Sequence, residues 1–288
     1  MSILEKYKIP HCFNKEYFDG TIERAKRKKT INRFVDEIVI GGLDNAPNLE
    51  KIINNDGRIL YASNHKSHLD YLVLGYVIAT NNLPIPRFAA GENLLCWPVN
   101  KIIDFRKMGA FSIDRQKNGN MEYLKELYKY IGSLVKNKEN MLFFPEGGRN
   151  YNKPEISIKR LPLEISGSET PNKTQRVSDD YRKPQTGLIR AVMDAADKNN
   201  IKVYVEPINI NYDIVAENGI FSSLKKVKFK GVWYYLLDAY ALTKRYFSKE
   251  KGKIYIKFGS PIEIKELGKD KKEVAGNIMQ LIKNLKNE

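Results

Sequence analysis

Apolar residues recur along this chain at two different periods. From Lys15 to about Ile38 they follow a helical spacing, with Tyr17, Phe18, Ile22, Ala25, Ile31, Phe34, Val35 and Ile38 forming an imperfect stripe that Gly41 and Gly42 close. The period then changes. Residues 58–63 (Arg-Ile-Leu-Tyr-Ala-Ser) form a short apolar run of the kind that makes a buried strand, and Leu69, Leu72, Val73, Tyr76 and Val77 follow at helical spacing. Further strands are predicted at 86–90, 111–113, 141–144, 203–210 and 253–258, and helices at 121–135, 187–198 and 271–285.

Strands alternating with helices predict an α/β fold, a central mostly parallel or mixed sheet flanked by helices, preceded by an N-terminal helical segment. The division is residues 1–45 for that segment and 46–288 for the α/β domain. Residues 151–182 are rich in Pro, Ser, Thr, Asn and charge and lack periodicity, which marks an insertion or surface loop that can cover a site.

Charge adds a constraint on partners. The 288 residues carry a formal net charge of +15 and a pI near 9.5, a field that attracts phosphorylated metabolites, nucleic acid or an anionic bilayer. No run approaches the roughly 18 to 20 apolar residues that span a bilayer, and the first six residues lack the apolar core of a signal peptide. The expected location is therefore cytoplasmic, with any membrane contact peripheral and on the inner face. Cys12 and Cys96 lie in no CxxC pair, which argues for a reducing compartment and against zinc. A noncatalytic basic module for membranes or nucleic acid is the competing class. No RNP-like string, zinc finger or heptad-linked basic helix is present, so no nucleic-acid partner is expected. The run from Lys225 to Leu237 joins a lysine cluster to Trp233, Tyr234 and Tyr235. It fits an interfacial membrane patch and, equally, a helix buried against the sheet with a basic edge.

Two strings carry candidate chemistry. In Asn64-His65-Lys66-Ser67-His68-Leu69-Asp70 the histidine falls at a strand-to-helix junction, and four residues separate it from Asp70. A carboxylate holding one imidazole nitrogen leaves the other free to take a proton, which makes a general base. The plainer reading is that His65 caps the helix and Asp70 favours its positive N-terminal end. Ser67 is too close in sequence to His65 for triad geometry and suits a first-turn hydrogen bond. His68 has no H-E-x-x-H partner and reads as a surface or packing residue. In Phe144-Pro145-Glu146-Gly147-Gly148-Arg149 the proline ends a strand, and the glycines allow a tight turn that presents an acid and an arginine to an anion. By itself it also suits an ordinary turn. The string Gly109 to Arg115 is a short strand ending in Asp114 and Arg115, whose guanidinium suits a phosphate or a surface ion pair.

Taken in order, these strings resemble the motifs of the glycerolipid acyltransferase superfamily. The first family motif is matched by Asn64, His65, Ser67 and Asp70. The second is matched by Gly109 to Arg115, preceded by Ala90-Gly91-Glu92-Asn93-Leu94, the third by Phe144 to Arg149, and the fourth by Val205-Glu206-Pro207-Ile208-Asn209. Gly148 and the Lys183-Pro184-Gln185-Thr186-Gly187 string resemble the glycerol-3-phosphate branch. Ile113-Asp114-Arg115 is closer to the 1-acylglycerol-3-phosphate branch, and Asn150 stands where a serine is usual.

The resemblance, over about residues 58–261, implies acyl transfer to a hydroxyl of glycerol 3-phosphate in phospholipid biosynthesis, with 1-acylglycerol 3-phosphate as the alternative acceptor. His65 and Asp70 are the implied catalytic residues. Arg115, Glu146, Gly147 and Arg149 are the implied acceptor-binding residues, and Lys66 and Lys183 are further candidates for the phosphate. No cofactor or metal is implied. An acyl-CoA or acyl carrier protein thioester is the cosubstrate, and an anionic membrane surface is the expected neighbour.

Overall fold

The computed structural model describes residues 9–10, 12–91, 103–114, 117, 119–148, 183–215 and 243–287. Helix α1 (Lys15–Arg27) is capped by Asn14, whose side chain accepts the Tyr17 N–H. Then come β1 (Glu37–Gly41), α2 (Ala46–Asn54), β2 (Arg58–Ser63), α3 (Leu69–Thr80), β3 (Pro86–Gly91) and β4 (Ala110–Ile113). The chain continues with α4 (Met121–Lys136), β5 (Asn140–Phe143), α5 (Gly187–Asn199), β6 (Val203–Tyr212), β7 (Lys253–Phe258), β8 (Ile262–Glu263) and α6 (Lys271–Asn287).

One mixed sheet runs β1-β7-β6-β2-β5-β3-β4, with β8 added to β6. The block from β6 to β4 is parallel, and β7 returns antiparallel to β6. Every residue of β2 is buried because strands flank it on both sides and helices cover both faces. Alternation sorts its side chains into two cores. Leu60 and Ala62 join Met141, Phe143, Val203 and Val205 beneath α4, α5 and α6. Ile59 and Tyr61 join Leu142, Phe144, Ile208 and Ile210 beneath α2 and α3. The α/β architecture expected from the alternating periods is the one observed.

The N-terminal segment departs from expectation. The helix predicted to reach about Ile38 stops at Arg27, and Lys29 adopts a left-handed φ of 48° just beyond it. A 3₁₀ turn at Ile31–Arg33 follows, and Glu37–Gly41 forms an edge strand paired in parallel with β7 from Glu37↔Lys253 to Gly41↔Lys257. Residues 1–45 are thus not wholly helical. Ile38, Val39 and Ile40 are β-branched, and their burial has period two, with Ile38 and Ile40 packed on the core and Val39 exposed. The helix-like spacing of Phe34, Val35 and Ile38 came from combining a loop with a strand.

The parallel strands point their C-terminal ends at one edge of the sheet. Ser63 of β2, Phe143 of β5 and Gly91 of β3 end there, and β6 runs on past Ser63 to Tyr212. In open α/β sheets this is the edge where ligands bind.

Candidate active site

Where β2 ends, Asn64 prolongs the ladder with its side chain. Its Oδ1 accepts the Ile210 N–H at 2.7 Å, and its Nδ2 donates to the Ile210 carbonyl at 2.9 Å. The buried loop after β2 is thereby fastened to β6, and His65 emerges from a fixed point. The Ser67 hydroxyl accepts the Leu69 N–H at 3.1 Å as α3 begins, the first-turn role expected of it. Asp70, in the first turn of α3 and fully buried, folds back over this loop. Its Oδ2 accepts from Lys66 N at 2.7 Å and Ser67 N at 3.0 Å, and lies 2.8 Å from His65 Nδ1. Its Oδ1 accepts the Tyr212 hydroxyl at 2.5 Å. One carboxylate therefore organises the turn and contacts the imidazole, while the N-cap position of α3 falls to His68, with no side-chain capping bond, and not to His65.

The imidazole is confined on its faces as well. It stacks on Phe144 at 4.2 Å between centroids and meets Tyr71 edge-on at 5.3 Å. Nδ1 is the ring nitrogen that faces Asp70.

Beyond β5, Pro145 and Gly147 shape a tight turn. Gly147 donates its N–H to the Phe144 carbonyl at 2.9 Å and sits at φ +64°. A Cβ there would stand 2.5 Å from Gln185 Cγ, so glycine answers both backbone strain and crowding. Gln185 N in turn donates to the Pro145 carbonyl at 2.7 Å and straps the segment before α5 onto the turn. Glu146 is buried, and its Oε2 accepts the His65 backbone N–H at 3.0 Å. The third motif is thus bonded to the first.

Both motifs open on a cleft of about 850 Å³, within the size range of small-molecule sites. His65, Tyr71, Phe144 and Glu146 line one part. Ala89, Ile113, Leu124, Leu127, Ile131 and Leu188 supply apolar wall, and Lys183, Arg190 and Lys271 supply positive charge. Among the described lining residues Glu146 is the acid, so the cleft favours a ligand that is partly apolar and partly anionic.

The model of the family described as Acyltransferase matches residues 37–211, from the first residue of β1 into the end of β6. The chain belongs to the acyltransferase family. It is 31% identical over 230 residues to a protein of Colwellia psychrerythraea named glycerol-3-phosphate acyltransferase, covering 78% of this chain and 24% of that one. A protein of the same name from Alteromonas mediterranea is 29% identical over 259 residues, covering 87% of this chain and 27% of its own length. The chain spans about a quarter of the length of these curated relatives. Among solved structures, the 1-acyl-sn-glycerophosphate (LPA) acyltransferase PlsC from Thermotoga maritima aligns with a TM-score of 0.47 and 17% identity. That alignment covers 93% of this chain and 78% of that one.

Of the residues singled out in this acyltransferase-family chain, His65, Asp70, Glu146 and Gly147 are brought together, and Lys183 is exposed and lines the same cleft. Lys66 is buried in the turn and is not among the described residues lining the cleft, although its backbone N–H serves Asp70. Arg115 and Arg149 lie outside the described residues, as do 151–182, Glu92 to Leu94 and the Lys225 to Leu237 run.

Three residues escaped the sequence reading: Tyr212, Arg190 and Lys271. Tyr212 lies two residues beyond the predicted end of its strand. Extending the alternation of Ile208 and Ile210 would have put it on the same face, but its partner is 142 positions away. The fourth motif holds another surprise. Glu206, beside Tyr61 in the ladder, is fully buried, neither of its oxygens has a hydrogen-bond partner among the described residues, and burial pushes its carboxyl up to about 9.

Proposed function

We propose that this protein transfers a fatty acyl group from a thioester donor to a hydroxyl of glycerol 3-phosphate. The observation that carries the reading is the buried contact of Asp70 with His65, which lines a cleft with apolar and cationic walls. Nε2 of His65 takes the proton of the acceptor hydroxyl as its oxygen attacks the thioester carbonyl. Asp70 holds the tautomer and balances the charge on the imidazolium. The C–O bond forms, the C–S bond breaks, and His65 returns the proton to the departing thiolate. Ser67 is given no nucleophilic part in this reading; its hydroxyl accepts the Leu69 N–H at the start of α3.

The apolar wall suits the acyl chain, and the cations suit phosphate groups. Lys183, with Arg149 and Arg115, is assigned to the acceptor phosphate. Family membership and the names of the 31% and 29% identical relatives support this substrate class.

Thioester consumption and acylated product should be measured with glycerol 3-phosphate, dihydroxyacetone phosphate and 1-acylglycerol 3-phosphate in parallel. His65→Ala and Asp70→Asn are expected to lose about a hundredfold or more in kcat, and Arg149→Ala to raise the acceptor KM with kcat less affected. Wild-type rates in both dyad variants would sink the proposal.

Peripheral attachment to an anionic membrane forms part of the same reading. It is supported by the net charge of +15, and among the described residues no helix is long and apolar enough to cross a membrane. Flotation with anionic but not zwitterionic liposomes, weakening as salt rises, is the expected result.

A further inference from the structure

We infer that Tyr212 is a third, positioning member of the His65–Asp70 pair, holding the outer oxygen of the Asp70 carboxylate so that the inner one stays aimed at the imidazole. This rests on the general-base reading above and assigns Tyr212 a role in it.

The geometry divides the carboxylate cleanly. Oδ2 serves His65 Nδ1 and two backbone N–H groups of the turn, all of them from residues 65–67. Oδ1 accepts from a residue far away in sequence, the Tyr212 hydroxyl at the last position of β6. A carboxylate anchored through one oxygen can still rock about that anchor; a donor on the second oxygen fixes its plane.

Tyr212 is itself held. Its strand neighbour Ile210 is bonded in both directions to the Asn64 side chain, and Tyr212 pairs with Ile254 of β7. The ends of β2 and β6 thus present His65 and Tyr212 to Asp70 from two sides.

The hydroxyl also tempers the base. A donor on Oδ1 draws off part of the carboxylate charge, so less of it is available to stabilise protonated His65. Without that donor the imidazole should bind its proton more tightly and become active only at higher pH. Among the described residues, the other ionisable groups around the pair are Glu146, whose Oε2 accepts the His65 N–H, Tyr71, edge-on to the ring, and Lys66 and His68 in the turn. Tyr212→Phe leaves all of them in place.

The test is Tyr212→Phe beside wild type, His65→Ala and Asp70→Asn. Each is followed by kcat and KM for both substrates, by kcat/KM against pH and by thermal unfolding, and the proteins that keep His65 also by NMR titration of its imidazole. The expected outcome for Tyr212→Phe is a folded protein with KM values unchanged and kcat lower by about tenfold, the scale of one hydrogen bond to a charged group. The acid limb of the pH profile and the imidazole titration should both move to higher pH. Activity lost with melting temperature, while both titrations stay where they are, would make Tyr212 a structural residue only and overturn the inference. So would a wild-type profile throughout. If His65→Ala and Asp70→Asn abolish turnover while Tyr212→Phe keeps the wild-type kcat and both wild-type titrations, this inference alone fails; if the dyad variants keep wild-type rates, the general-base reading fails first.

Discussion

Asp70 concentrates the site's dependence on single atoms. It accepts from two backbone N–H groups and a tyrosine hydroxyl and contacts the imidazole, while fully buried. Asparagine keeps the shape but offers one acceptor oxygen instead of two, and its amide group faces donors. Asp70→Asn should therefore lose stability as well as turnover, by about 2 to 3 kcal/mol, read by urea denaturation. His65→Ala removes the proposed base without stranding those N–H groups, so it should unfold nearer the wild-type midpoint. The difference between the two variants separates what the carboxylate does for the turn from what it does for the chemistry. Much of this residue-scale design could be read from the sequence, because His65 and Asp70 are five positions apart and a strand-to-helix turn brings such positions together.

Strands β2 and β6 together build the site's frame. Their parallel ladder ends near Ser63 and Ile208, and the Asn64 side chain then substitutes for the next rung by bonding both backbone groups of Ile210. Asn64→Ala would leave a buried N–H and a buried carbonyl without these partners. A loss of about 2 to 4 kcal/mol is expected, measured by urea denaturation, with amide exchange accelerating at Ile210 and in the turn. At this scale the sequence was less transparent. Apolar periodicity revealed the predicted strands and helices of the α/β domain but mistook Glu37–Gly41 for the end of a helix, since three β-branched residues are too few to reveal their own period. Only pairing with β7, more than two hundred residues later, makes that segment a strand.

Across the whole molecule, the packing of two cores around one sheet leaves a carboxylic acid in the middle of it. Glu206 lies on the face of β6 shared with Tyr61, its oxygens have no hydrogen-bond partner among the described residues, and burial raises its carboxyl from an ordinary 4.5 to about 9. The folded protein therefore keeps a proton that the unfolded chain gives up. This contribution to stability is complete below about pH 4.5 and is lost as pH rises through about 9. The slope between those limits is at most about 1.4 kcal/mol per pH unit. Glu206→Gln removes the titration, so stability measured from pH 6 to 9 should fall less steeply in the variant than in wild type. Parallel curves would show that the carboxyl does not titrate in this window. The same large-scale packing brings Lys183, Arg190 and Lys271 from separate stretches of chain to one cleft beside an apolar wall, which gives the site its suitability for an amphiphilic substrate.

The amino-acid sequence by itself determined the alternation of strands and helices, the junction that carries His65, the glycine turn that carries Glu146, and the order of motifs that marks the family. All of these depend on neighbours within a few residues, where backbone geometry and side-chain period act directly. Tertiary structure alone decided that Glu146 holds the His65 backbone, that Tyr212 reaches Asp70, that Glu206 is fully buried, and that Glu37–Gly41 is an edge strand. Each of those depends on which elements the packed sheet sets side by side, over separations of 81 residues for His65 and Glu146 and 142 for Asp70 and Tyr212. At such distances the closing of the chain upon itself, and no local preference, selects the contact.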